Sequence, residues 1–437
     1  MKKIILLIIL FALFTTTRAQ EQWTLERCIE YALTNNIMIK QYEINSRYQE
    51  NEFKQARYNR LPNLNGSLSQ GINFGRSETQ AGTYDNITQG NTSAGINTNV
   101  LIWRGGTLNN TIKQNELDLK SSIENLQKAK DDIMLSIASE YLNILFATEL
   151  VKVAESQLEQ TMKQIERTKK LVEAGKIAEG ALLEVQSQLA RESLDVVNRK
   201  NNLQIATLNL AQLLELEDYS TFNIAVPEIP ELKAQITLMN ARLVFDKAVE
   251  VRPEIKSAEY QLKSSEVQLD IAKGGKMPTL SAYAGISNNY FASEFSPAFA
   301  DQLENNLSEN VGVNLSVPIF SRYQNKTNVE NSKLQILNSE LELESAKKQL
   351  RKQIEQAYVN ALAALERYNA NKVAVKSMQE SFRYIEEKFN VGRVNSVEYN
   401  DAKTNLAIAE SNLIQAKYDF IFRSKILDFY NGIPIQL

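Results

Sequence analysis

Four stretches of the chain alternate apolar and polar residues with a period of two. In the first, Leu64, Leu68, Ile72 and Phe74 fall on one face and Asn63, Asn65, Ser67, Ser69 and Asn73 on the other. Residues 75–90, rich in Gly, Asn and Thr, read as a loop. Beyond them Ala94, Ile96, Val100 and Ile102 alternate with Ser93, Asn97 and Asn99. The design returns where Leu280, Ala282, Ala284 and Ile286 alternate with Thr279, Ser281 and Ser287. It returns again where Val311, Val313, Leu315, Val317 and Ile319 alternate with Asn310, Asn314 and Ser316. This spacing predicts four strands, each with one apolar and one polar face. Runs of about 9–13 residues suit a tilted strand crossing a bilayer; a half-buried strand of a soluble sheet satisfies the same pattern.

Between the strands the period changes to that of helices. Residues 25–60 read as one helix stopped by Pro62. Residues 107–173 contain neither Pro nor Gly, on the order of 100 Å of helix at 1.5 Å per residue. After Gly175, Leu182, Val185, Leu189, Val196, Leu203, Ala206, Leu210 and Leu213 fall on alternating three- and four-residue steps, interrupted by Glu192 and Arg199. After Gly392, Tyr399, Ala402, Leu406, Ala409, Leu413, Ala416, Phe420 and Leu427 do the same, with Arg423 as the break. Such seams predict coiled-coil packing.

The chain is internally duplicated. Leu61-Pro62-Asn63-Leu64 is echoed 216 residues later by Met277-Pro278-Thr279-Leu280. Val100-Leu101-Ile102-Trp103 and Val317-Pro318-Ile319-Phe320 are 217 apart, as are residues 171–177 around Gly175 and 388–394 around Gly392. The expected organisation is a leader at 1–19, a first repeat at 20–217, a linker at 218–232 with Pro227 and Pro230, and a second repeat at 233–437. Each repeat runs helix, two strands, two long helices, an α-β-β-α-α order in an α+β membrane protein.

Composition narrows the chemistry. Lys2 and Lys3, the apolar run 4–14 and Thr17-Arg18-Ala19 make a secretory leader, too short for a transmembrane helix. No later stretch reads as a membrane-crossing helix. Cys28 is the single cysteine, so no internal disulfide forms. The 437 residues include no His, which removes Ser-His-Asp and Cys-His catalysis and the commonest metal ligand. Without the leader's three basic residues, 46 Lys and Arg face 52 Asp and Glu, a net of −6 that argues against nucleic acid as a partner. No enzyme activity, cofactor or metal is expected.

Four strands cannot close a barrel, and an open edge in lipid leaves backbone groups unpaired at several kcal/mol each. Shared among three chains, twelve strands close around a width that can hold water. The Asn and Ser faces would line that lumen, and the long helices would continue the duct as an antiparallel coiled-coil tunnel.

Several short motifs resemble the TolC family of outer-membrane efflux proteins. They are Trp23-Thr24-Leu25-Glu26 with Glu30-Tyr31-Ala32-Leu33 and Asn35-Asn36, then Arg252-Pro253-Glu254-Ile255, Trp103-Arg104-Gly105-Gly106, Pro318-Ile319-Phe320 and Phe389-Asn390-Val391-Gly392-Arg393-Val394. The resemblance covers residues 20–437. It implies a homotrimer in outer-membrane lipid, with a twelve-strand barrel above a periplasmic helical tunnel. It also implies docking to a periplasmic adaptor protein coupled to an inner-membrane pump of RND or ABC type. By the same resemblance the two glycine turns meet the adaptor, through Leu171, Val172, Gly175, Val391, Gly392 and Val394. Acidic residues that line the closed periplasmic mouth match Glu398 and Asp401. The repeat offset sets Glu184 opposite Asp401, and Arg393 stands one place before the family's basic position, at Val394. Two other readings are a periplasmic coiled-coil spacer and a secreted hydrolase using paired carboxylates. Outer-membrane extraction separates the spacer from the duct; the hydrolase needs two carboxyls facing across a cleft.

Overall fold

A computed structural model describes residues 22–78, 82–220, 222–227, 239–292 and 296–435. The expected leader lies outside these, as do residues 221 and 228–232 of the expected linker. In chain order the elements are α1 (Leu25–Asn35), α2 (Ile37–Tyr58), β1 (Asn65–Glu78), β2 (Tyr84–Arg104), α3 (Thr107–Glu173) and α4 (Glu179–Leu213). There follow α5 (Ala241–Val251), α6 (Pro253–Gly274), β3 (Thr279–Ala292), α7 (Phe299–Asn305), β4 (Ser308–Ser316), α8 (Gln324–Asn390) and α9 (Ser396–Tyr430). The two longest helices are each 67 residues and the two that follow them each 35.

The chain divides into two compact units, 1–42 with 126–253 and 347–437, and 43–125 with 254–346. The second unit carries one antiparallel sheet in the order β1-β2-β3-β4. Partners directly opposite in such a sheet point to the same side. Leu68 faces Ala94, Ile96 faces Ile286, Ala282 faces Val313 and Ala284 faces Val311, so the apolar positions of all four strands share one face. Ser69 opposite Ser93, Asn97 opposite Gly285 and Gly285 opposite Asn310 make the other face polar. The apolar side is bare: Leu68 is 77% exposed, Phe74 78% and Val311 84%. Among the described residues β1 and β4 each pair along one edge only.

Three expectations change here. Residues 75–90 are mostly strand, because β1 and β2 continue their ladder from Asn65 opposite Asn97 out to Glu78 opposite Tyr84. Gly, Asn and Thr signal loop locally, but the ladder satisfies their backbone groups and outweighs propensity. β4 stops at Ser316, short of Val317 and Ile319, since Pro318 has no N–H for a ladder. Between β3 and β4 lies α7, which the alternation did not foretell. Its Gln302 is 3% exposed, donates to the Phe291 and Pro297 carbonyls at 2.8 Å and accepts from the Phe291 N–H at 2.8 Å.

The first helix of each half is also split, giving α-α-β-β-α-α in the first half and, with α7 between its strands, α-α-β-α-β-α-α in the second. Asn36 is extended (φ −60°, ψ 129°) between α1 and α2; its Oδ1 accepts the Met38 and Ile39 N–H groups, capping α2. Arg252 is extended likewise (φ −69°, ψ 132°), because a residue before proline avoids the helical region and Pro253 suits a first helical position.

In the first unit the core gathers Leu25, Ile39, Ile137, Tyr141, Leu145, Leu210 and Leu214. The segment before α1 and residues 222–227 close over it through a parallel bridge of Trp23 with Ile224, and the Tyr141 hydroxyl donates to the Ala225 carbonyl at 2.5 Å with the Trp23 carbonyl 3.2 Å away. One helix, α3, does contain an 18-residue window apolar enough to cross a membrane, against the expectation that none would. Its Ile133, Ile137, Ala138, Leu142 and Leu145 are core residues, which accounts for the apolar stretch. In the second unit small polar residues line the helix seams. Ser121 meets Ser257 at 2.9 Å, Ser265 meets Ser339 at 2.8 Å, and Ser264 donates to Asp118 at 2.6 Å.

Candidate functional site

The candidate site lies in the first unit, where α3 turns into α4 and α8 into α9. Both turns are the same object. Gly175 (φ +66°) donates to the Val172 carbonyl at 2.9 Å and Lys176 to Leu171 at 2.9 Å. Gly392 (φ +73°) donates to Phe389 at 3.0 Å and Arg393 to Lys388 at 2.9 Å. This paired bonding caps the last carbonyls of a helix and requires a left-handed residue, which glycine adopts without a Cβ penalty.

Around the turns Gly175, Val391, Gly392 and Arg393 are exposed, and Leu171, Val172 and Val394 half-buried. The turns are tied to each other. The Arg167 guanidinium donates to the Asn390 side chain and, at 3.3 Å, to its carbonyl. Behind the second turn Tyr399 is buried, its ring stacked on Phe389 at 4.6 Å and tilted against Phe382 at 5.4 Å.

The four candidate gate residues have different surroundings. Glu398 and Asp401 are exposed, one turn apart on α9, and so share a face. Glu398 also belongs to the helix start, because the Asn395 side chain accepts its N–H at 2.9 Å and its carboxylate sits where the helix dipole favours negative charge. Glu184 accepts a hydrogen bond from the Ser396 hydroxyl, so it joins α4 to α9. Arg393, Glu398 and Asp401 make no ion pair among the described residues.

Sequence reasoning missed Lys403. Its ammonium is buried and donates to the Gln157 carbonyl at 2.8 Å, to Thr161 Oγ1 and to Glu192 Oε1 at 3.0 Å. Burial pulls the Lys403 ammonium below the usual lysine range, and Glu192 opposes that shift. The signal was Glu192 itself, a charge on the α4 seam that must find a partner if the seam is buried. Arg199 and Arg423, the other seam breaks, reach half-exposed positions and pair with Asp195 at 3.3 Å and Asp419 at 2.6 Å. No group of three His, Cys, Asp or Glu placed to hold a metal ion occurs among the described residues.

The family model described as "Outer membrane efflux protein" matches residues 28–215 and 244–428. Outer membrane protein TolC of Escherichia coli K12 is 26% identical over 315 residues, covering 68% of this chain and 60% of that protein, so the match spans less than two thirds of the relative's length. Among solved structures, the Campylobacter jejuni CmeC outer membrane channel superposes with a TM-score of 0.77 at 18% identity, covering 94% of this chain and 86% of that one. The outer membrane protein VceC of Vibrio cholerae superposes with a TM-score of 0.76 at 15% identity, covering 94% and 97%. These likenesses carry the α+β fold. With both halves matched by the family model, the chain belongs to the outer membrane efflux proteins.

Proposed function

We propose that the chain is one subunit of a homotrimeric export duct, built from two structural repeats, 20–217 and 233–437, joined by a linker. The observation that carries this reading is the bare apolar face of a four-strand sheet with two open edges, in the same chain as two matched helical hairpins. In water that face and those edges are a liability. In lipid the same face is soluble, and three copies remove every edge by closing twelve strands. The Asn and Ser side then lines an aqueous lumen, and the paired helices continue it into the periplasm.

Cargo moves passively, driven by an inner-membrane pump of RND or ABC type through a periplasmic adaptor; the duct hydrolyses nothing. The adaptor meets the turns through Leu171, Val172, Gly175, Val391, Gly392 and Val394. Glu398 and Asp401, with Glu184 beside them, form rings of carboxylates at the inner mouth, which attract cations and repel one another unless paired. Arg393 of one copy pairs with a neighbour's carboxylate in this reading.

The test is single-channel conductance of the purified protein in a planar bilayer, native against Glu398→Ala/Asp401→Ala. The expected result is a small cation-selective current that grows and loses selectivity in the variant. A current indifferent to the substitutions moves the gate elsewhere along the turns. No current from either folded protein favours a periplasmic spacer.

A further inference from the structure

We propose that Gly312 sets the bore of the lumen at the level of Tyr283, given the duct reading, in which the polar face of the sheet lines that lumen. Gly312 leaves the Tyr283 ring a place to lie flat against the wall, and any side chain there lifts the ring into the passage.

The register puts both residues on the polar face. Tyr283 of β3 stands opposite Asn99 of β2 on one side and Gly312 of β4 on the other. Over residues 65–75, 89–101, 279–291 and 308–316 nothing on that face carries a charge. Asn, Ser and Gly dominate it, and Tyr283 and Phe291 are the rings among them. A wall without charge sorts what passes by size and hydrogen bonding alone. Its largest side chains therefore decide its width.

A Cβ on Gly312 would stand 2.6 Å from Tyr283 Oη, 2.7 Å from Cζ and 3.1 Å from Cε1, so the ring covers the glycine. A strand glycine often marks such a close approach, and an aromatic ring can shield it. The polar face repeats the device beside it. A Cβ on Gly285 would stand 3.3 Å from Asn310 Oδ1 and 3.5 Å from its Nδ2, so that amide lies over Gly285. Strand side chains otherwise stand roughly perpendicular to the sheet. Here two of the larger ones lie sideways in glycine notches.

With a methyl group at position 312 the ring has no lateral alternative. Asn99 stands opposite it on β2, Asn310 and Asn314 flank Gly312 on β4, and the Gly285 notch is filled. The atoms in conflict are the far end of a side chain, so the ring moves and the ladder stays. It then projects from the wall, and in three copies three rings approach one another at one level.

The test uses the full-length protein in the outer membrane of intact cells, with Ser316→Cys as reporter. Ser316 lies on the same face, four residues past Gly312 toward α8 and roughly 13 Å along the strand. A reagent from outside reaches it only past Tyr283. Cys28, the natural thiol, is fully buried and adds no signal. The reagents are N-ethylmaleimide and the bulkiest dye maleimide that labels the reporter on the natural wall. Gly312→Ala is expected to slow the dye about fivefold and to leave N-ethylmaleimide unchanged. Gly312→Ala/Tyr283→Ala should restore the dye rate. Tyr283→Ala beside the natural glycine should change it less than about twofold, because a ring lying flat takes little width. Equal dye rates with and without Gly312→Ala overturn the proposal and leave the duct standing. A gain of about fivefold from Tyr283→Ala alone also overturns it, since the ring then already projects, and that arm stands even where Gly312→Ala fails to reach the membrane. A folded Ser316→Cys protein that N-ethylmaleimide cannot label from outside has no aqueous lumen on this face, which overturns the duct reading as well.

Discussion

Asn36 and Arg252 occupy matching places in the two halves of the chain, each an extended residue between two helices, yet they are held by different chemistry. Asn36 donates from its side chain to the carbonyl of Leu213, the last residue of α4, at 3.0 Å. Arg252 docks on the matching end of α9, its guanidinium 4.6 Å above the Phe429 ring and 5.7 Å from Tyr430. It also pairs with Asp131 at 3.1 Å, and Gln127 donates to the other Asp131 oxygen at 2.9 Å. Both residues are buried. Duplication has kept the place of the break and its contact with the end of a 35-residue helix, while the contact itself has gone from neutral to ionic. A neutral bond exchanges with water at small net cost, whereas a buried pair is expensive to half-break.

The largest test of that contrast is Arg252→Met, which strands Asp131 and should lower unfolding free energy in urea by about 3–5 kcal/mol. Arg252→Met/Asp131→Leu should recover most of it, and Asn36→Ala should cost about 1–2 kcal/mol through the lost cap. An Asn36 loss equal to that of Arg252 would break the comparison. Gly175→Ala and Gly392→Ala should each cost about 1–2 kcal/mol; a Cβ meets nothing within 4 Å at either site, so backbone strain alone acts and the two costs should agree. The helix starts beyond the turns differ, since α9 has the Asn395 cap and α4 begins at Ala178 with no side-chain cap bond. Asn395→Ala should therefore lose about 1 kcal/mol and Ala178→Asn gain a similar amount.

The smallest effect concerns Asp118 in α3, whose repeat partner in α8 is the neutral Gln335. Both line one polar groove in the second unit. Burial raises the Asp118 carboxyl above its ordinary 3.8, with Ser264 opposing. The native chain then holds a proton that the unfolded chain has released, so stability falls as pH rises through and above 3.8. Asp118→Asn should raise the melting temperature slightly at pH 7, and the gain should vanish below about pH 3.8. A gain that persists in acid would mean the carboxylate is not its source.

Much of this was legible in residue order. The turns at Gly175 and Gly392 were visible because glycine is nearly obligatory there and because each echoes the other. The strand faces were visible because alternation survives wherever one side meets an apolar medium. The break at Arg252 is announced by Pro253, but Asn36 has no such mark and was absorbed into one helix, although the offset of 216 maps one onto the other. Strand ends failed where pairing overrides propensity, in β1 and β2 beyond Gly75. In the candidate site, exposed carboxylates could be placed by offset. Lys403 could not, because a buried ion pair joins residues 211 apart whose positions along their own helices say nothing of each other.

The equal lengths of α3 and α8 have a consequence for how such a chain can vary. One residue inserted into α3 rotates everything beyond it by about 100° and carries the Glu192 and Thr161 partners of Lys403 off their face. A seven-residue insertion nearly restores the face, with about 20° of drift, but moves the Gly175 turn about 10 Å past its twin at Gly392. Insertions and deletions in these helices are therefore tolerated only in register-preserving blocks, and only when both halves change by the same block.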